Sequence, residues 1–200
     1  MIASITADKL TCTRGERRLF ADLSFQVQAG QVLAVEGANG AGKTSLLRLL
    51  AGFLTPAAGR VVIRQDGHDS DDADHRTRLI GWLGHHDGLK PQLTVIEQLV
   101  FYAALYGRKP DTAALEHVGL ARQAELPCRY LSAGQRRRLA LARLVVSARP
   151  LWLLDEPFAA LDASGQALVV QMMARHCGQG GIIIAATHDP LGLGNESLKL

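Results

Sequence analysis

One octapeptide constrains this chain more than any other feature. Gly37-Ala38-Asn39-Gly40-Ala41-Gly42-Lys43-Thr44 has the form G-x-x-x-x-G-K-[ST]. The apolar run from Gln31 to Glu36 before it reads as a buried strand. After it, Ser45 to Ala51 carries Leu46, Leu47, Leu49 and Leu50 at helical spacing. Strand, glycine-rich turn and helix, in that order, are what a phosphate-binding loop requires. The glycines let backbone N–H groups turn inward around anionic oxygens, and the helix N-terminus adds positive potential. In such a loop Lys43 reaches the β- and γ-phosphates of a nucleotide, and the Thr44 hydroxyl ligates Mg²⁺. Ser45 completes the set of nucleotide-binding candidates here.

A second segment supplies the carboxylates. Leu151-Trp152-Leu153-Leu154-Asp155-Glu156 is a hydrophobic strand, introduced by Pro150, that ends in two acids. Asp155 at a sheet edge can hold the metal through water, and Glu156 next to it can polarise an attacking water. Asp-Glu-Pro could also cap a strand and begin a turn, but the phosphate loop favours the catalytic reading. Together the two segments say nucleotide hydrolase, without saying which kind.

The rest of the chain gives the frame. Two hundred residues with 48% hydrophobic content suffice for one domain and one sizeable core. Strand-like and helix-like runs alternate, which predicts an α/β fold with a mainly parallel sheet. Gly181 to Thr187, with three consecutive isoleucines, is a third buried strand. Residues 2–28 read as antiparallel, followed by a turn at Ala57-Ala58-Gly59 and a strand from Arg60 to Arg64. From Leu93 to Ser147 the pattern is mostly helical, which predicts a helical lobe inserted into the core at about residues 90–148. A net charge of +3 is too mild to argue for nucleic acid. Cys12, Cys128 and Cys177 match no disulfide framework or zinc spacing, as expected of a reducing, cytosolic setting. The expectation is of no signal peptide and no membrane span, so any membrane link comes through a partner.

A third segment decides the kind of hydrolase. Leu131-Ser132-Ala133-Gly134-Gln135 precedes the helix Arg136-Arg137-Arg138-Leu139-Ala140-Leu141-Ala142-Arg143. It resembles the signature motif of ABC ATPases, with Ala133 in place of the usual glycine. The resemblance implies that Ser132, the Gly134 backbone, Gln135 and the helix N-terminus bind the γ-phosphate held by a second copy. Arg136, Arg137 and Arg138 read as a solvated basic face. Ala160-Leu161-Asp162 resembles the D-loop, and His188, after Thr187 at the end of the isoleucine strand, resembles the switch histidine that contacts the γ-phosphate. The resemblance spans nearly the whole chain. It implies a P-loop NTPase (RecA-like) core with an N-terminal antiparallel β subdomain and an inserted helical subdomain, in a single ABC ATPase domain over residues 1–200. Its ligands would be ATP and Mg²⁺. A small-molecule kinase would have no reason to carry a signature motif or a D-loop.

Two departures narrow the subfamily. His85 stands where most ABC ATPases place a glutamine that senses metal and water, and Arg14 stands where an aromatic stacks on adenine. Arginine can lie flat on a base, with looser selectivity. Leu83-Gly84-His85-His86-Asp87-Gly88-Leu89-Lys90, the run Leu131 to Arg138, Trp152 to Asp162 and the tail Ala186-Thr187-His188-Asp189-Pro190-Leu191 resemble the ATP-binding subunit of the bacterial cytochrome c maturation haem exporter. That resemblance implies a peripheral protein on the cytoplasmic side of the inner membrane, paired with integral subunits, whose ATP hydrolysis serves haem delivery or release of a haem-loaded chaperone. A motor for another cargo, or a soluble non-transport ABC protein, are the alternatives. His85 and His86, with His68 and His75, read as solvated loop residues rather than a haem or metal cluster. Leu99, Val100, Phe101, Leu105 and Tyr106 read mostly as buried within the helical lobe, with one edge, beside the His85 loop, left to receive a short helix from the membrane subunit.

Overall fold

The computed structural model describes residues 2–110, 112–194 and 196–200. Two sheets organise the chain. The first is antiparallel and contains β1 (Ile2–Arg14), β2 (Arg17–Gln28), β4 (Ala58–Gln65) and β5 (His68–Ser70), in the order β2-β1-β4-β5. The second is parallel: β3 (Val32–Glu36), β6 (Ile80–Leu83), β7 (Leu151–Asp155), β8 (Ile182–Ala186) and β9 (Glu196–Lys199), ordered β6-β7-β8-β3-β9.

The apolar runs form these central strands because both faces of the parallel sheet are covered. Every residue of β7 and β8 is buried. Successive side chains go to opposite faces, as the pleat dictates. Trp152, Leu154, Ile183 and Ala185 join one core with Val32 and Ala34. Leu151, Leu153, Ile182, Ile184 and Ala186 join another with Leu33 and Val35.

Helix α1 (Lys43–Ala51) and the inner face of the antiparallel sheet close the second core. The first is closed by α3 (Val95–Leu105), α4 (Ala113–His117), α5 (Ala133–Ser147) and α6 (Ala163–Gly178); the short α2 (Ala73–Thr77) sits between β5 and β6. Helices α3 and α5 each begin with a capping box, Thr94 with Glu97 and Ser132 with Gln135. The α/β expectation therefore holds, and the N-terminal strands, the glycine-rich turn and the helical stretch fall where the sequence places them.

Two expectations are corrected. Arg136, Arg137 and Arg138 are not a solvated face: Arg137 is only 3% exposed, and the other two donate to the carbonyls of Leu131 and of Val118. Nor is the apolar face of α3 mostly buried. Leu99 is buried and Tyr106 half-buried, but Val100, Phe101 and Leu105 are exposed, Leu105 by 64%.

Candidate functional site

In a parallel sheet all carboxyl ends lie along one edge, and loops leaving that edge can meet. Strand β8 lies between β7 and β3. The loop after β3 is residues 37–42, β7 ends in Asp155 and leads into Glu156, and β8 leads into Thr187 and His188. The backbone ties these exits together: Glu156 N–H donates to Ala186 at 2.8 Å and Thr187 N–H to Val35 at 3.2 Å.

Glycine is required inside the loop. Gly42, the residue before α1, has φ of 113°, and a Cβ there would press to 3.2–3.3 Å on Leu19 and the Phe20 ring. The first turn of α1 then presents Lys43, Thr44 and Ser45. Lys43 is buried; its Nζ donates to the Gly37 carbonyl at 2.7 Å and lies 2.9 Å from His188 Nε2. His188 Nε2 is also 3.1 Å from Asn39 Oδ1 and 3.5 Å from Glu156 Oε1. Thr44 Oγ1 donates to Asp155 Oδ2 at 2.9 Å. A cation, an imidazole, an amide, a hydroxyl and two carboxylates thus converge on one cavity of about 640 Å³, which Gly40 and Gly42 of the loop and Ser45 of α1 also line.

The hydroxyl of Thr44 and carboxylate of Asp155 form a hard-oxygen pair of the kind that holds Mg²⁺ together with phosphate oxygens and water. No group of three or more His, Cys, Asp or Glu suited to a metal occurs among the described residues. The donor set fits an ion shared with a phosphate ligand rather than a cage supplied by the protein alone.

Arg14, His85 and His86 line the same cavity, so both departures from the usual pattern lie at the site. The rings of His85 and His86 meet edge to face, with centroids 5.5 Å apart. Ser132, Gly134 and Gln135 do not line that cavity. They sit at the start of α5, where Ser132 Oγ accepts from Gln135 N–H at 3.2 Å and Gln135 Oε1 accepts from Ser132 N–H at 2.8 Å. Gly134 is glycine for a local reason: a Cβ would stand 2.8 Å from the Ala160 carbonyl. The Ser132 segment and the Ala160-Leu161-Asp162 turn are therefore one packed unit. Asp162 caps α6 by accepting from Gly165 N–H, and that bond, with one from Ser164, holds its carboxyl below the usual carboxylate range.

Sequence reasoning missed the residues that hold the site from behind. Arg143 donates to the carbonyls of Trp82 and Asp87 and to the Tyr102 hydroxyl, which in turn donates to the Gly88 carbonyl. Buried Gln98 accepts from Lys90 N–H. These bonds pin the loop carrying His85 and His86, but their partners are 8 to 61 residues away in the chain, beyond the reach of local pattern.

The family model described as ABC transporter matches residues 20–159. The chain is 50% identical over 193 residues to the cytochrome c biogenesis ATP-binding export protein CcmA of Rhodopseudomonas palustris (strain BisB5), covering 96% of this chain and 94% of that protein. It is 47% identical over 203 residues to the protein of the same description from Rhizobium meliloti (strain 1021), covering 98% and 97%. Among solved structures, a putative ABC transporter ATP-binding protein from Pyrococcus furiosus superposes with a TM-score of 0.85 over 99% of this chain and 98% of that one. At 23% identity that likeness speaks for the fold alone.

Proposed function

The chain belongs to the ABC transporter family, and from that premise we propose that it is the ATP-binding, ATP-hydrolysing subunit of a membrane complex in c-type cytochrome biogenesis. Its turnover powers haem export or delivery, or release of a haem-loaded chaperone. The relatives described as cytochrome c biogenesis ATP-binding export proteins, aligned over nearly their full length, support the pathway. The observation that carries the activity is the meeting of Lys43, Thr44, Asp155, Glu156 and His188 in one cavity at the carboxyl edge of a parallel sheet.

In this reading residues 1–200 form one ABC ATPase domain with a helical lobe at about 90–148. Backbone N–H groups of the loop from Gly37 to Thr44, with Ser45, surround the phosphates of ATP. Lys43, now bonded to Gly37 and beside His188, turns its ammonium to the β- and γ-phosphates. Thr44 and Asp155 would hold Mg²⁺, which neutralises phosphate charge when bound. Glu156 accepts the proton of the attacking water, and His188 contacts the γ-phosphate. Ser132, Gly134 and Gln135, which lie outside this cavity, serve in this reading the nucleotide of a second copy, so that two copies enclose two ATP molecules. Integral subunits receive the resulting closure and opening as a population shift. Among the described residues no helix is long and apolar enough to cross a membrane. In this reading the chain sits at the cytoplasmic side of the bacterial inner membrane, held by those subunits, as the cytochrome c biogenesis relatives suggest.

The test is steady-state ATP hydrolysis by the complex. Glu156→Gln should bind ATP normally while kcat falls about 10²- to 10⁴-fold, the loss expected for a general base. A variant that turns over at the normal rate would refute the role given to Glu156.

A further inference from the structure

The best-buried charged group near the site is one the hydrolytic reading leaves without a task. Arg137, on the second turn of α5, is 3% exposed, and its guanidinium joins two segments. Nη2 donates to the carbonyl of Asp155 at 2.5 Å and to that of Glu156 at 2.6 Å. Nη1 donates to the Gly84 carbonyl at 2.9 Å and to Asp87 Oδ1 at 3.1 Å, and Asp87 supplies the counter-charge. Gly84 and Asp87 bracket His85 and His86 on the rim of the nucleotide cavity.

The conformation of Glu156 makes these bonds significant. Its φ is +50°, in the left-handed region that is uncommon for a residue with a Cβ, and its surroundings hold it there. Two restraints do so. Its N–H is held by Ala186 on β8, and its carbonyl, with that of Asp155 before it, is held by Arg137. From this held backbone the carboxylate reaches to 3.5 Å from His188 Nε2.

We propose that Arg137 is a positioning residue for Glu156: it clamps the left-handed turn that aims the carboxylate and links it to the Gly84–Asp87 loop and to helix α5. The inference rests on the reading of Glu156 as the group that activates water. A movement of that loop, or of α5 with Ser132 at its start, is then transmitted to Glu156 through one planar, rigid fork. Lysine keeps the charge but is a point donor and cannot reproduce the four-way geometry.

The experiment measures ATP hydrolysis by the complex carrying Arg137→Lys, alone and combined with Glu156→Gln. Arg137→Lys should lower kcat about 10- to 100-fold, the cost of misplacing a reacting group by roughly an ångström. KM for ATP should stay within about twofold, since no nucleotide contact is altered. In the Glu156→Gln background the same substitution should change the residual rate by less than about twofold, because the group it positions is already gone. Asp87→Asn, which removes the counter-charge but leaves an acceptor, should give a smaller loss with the same signature, and it decides the matter if Arg137→Lys does not fold. Full turnover by both variants would overturn the assignment. So would a parallel loss of kcat and ATP affinity, or an undiminished effect in the Glu156→Gln background, since each marks general structural support. Normal turnover by Glu156→Gln alone is a different failure, that of the premise, and is seen before the variants are combined.

Discussion

Lys43 is held beneath its own loop by the Gly37 carbonyl and stands beside His188, so a cation is fixed where phosphate charge would arrive. Removing it should cost the charge-assisted bonds it makes to phosphate. ATP affinity of Lys43→Ala should fall roughly 10- to 100-fold, measured by equilibrium titration with a fluorescent ATP analogue. Unchanged affinity would count against the loop assignment. Residues of this kind are legible in sequence because the motif that holds them is contiguous: Gly37 to Thr44 and Leu151 to Glu156 carry position and chemistry in one stretch. Arg137 shows the limit. Its neighbours Arg136 and Arg138 give no sign that it points inward, and its four acceptors lie 18 to 53 residues away. Only the packing of α5 against β6 and the helices around it reveals that the middle arginine is enclosed while the others are half-buried.

At the scale of elements, α6 is fastened to β7 by a stack of His176 on Trp152, with ring centroids 3.9 Å apart and planes 11° from parallel. The His176 ring also fills the space above Gly181, where a Cβ would be 2.2 Å from Nε2. Burial pushes its pKa down from 6.5 to about 4, so the folded chain refuses a proton that the unfolded chain accepts. The sign follows from linkage: the stabilisation is fully present above pH 6.5 and is lost as pH falls toward 4, on the order of 3 kcal/mol in all. Urea melts from pH 7 to 4 should show this acid slope, and His176→Phe, which keeps an aromatic face on Trp152, should flatten it. An identical slope in the variant would exclude His176 as its source. The elements were largely legible, because buried parallel strands and capped amphipathic helices leave periodic patterns. The outer face of α3 was not, since apolar residues destined for a core and for a partner look alike. Val100, Phe101 and Leu105 remain exposed there. Leu105→Asp with Val100→Asp should leave folding stability within about 1 kcal/mol of the parent, as surface changes do, yet abolish recovery of the integral subunits on affinity purification. Retained assembly would show that the membrane partner docks elsewhere.

For the whole molecule, the organising fact is that the groups lining the Lys43–Asp155–Glu156 cavity and the Ser132 segment occupy different places on one chain. Gly134 packs against the Ala160 turn, and through α5 it connects to Arg137, Asp155 and Glu156. In the proposed pair, a second copy pressing on Ser132 would press on the element that holds the Glu156 turn. Under the proposed function this gives a physical route by which closure of a pair and readiness for hydrolysis become one event. The central claim, an ATP-driven pair working on membrane subunits of cytochrome c biogenesis, is tested most directly by affinity purification. Tagged Glu156→Gln chain would be recovered with ATP from gently solubilised native membranes, then analysed by mass spectrometry and by absorbance at the haem band. The account predicts paired copies with integral cytochrome c maturation subunits, and haem in that fraction. Recovery of unrelated permease subunits, or of the chain with no membrane partner, would contradict it.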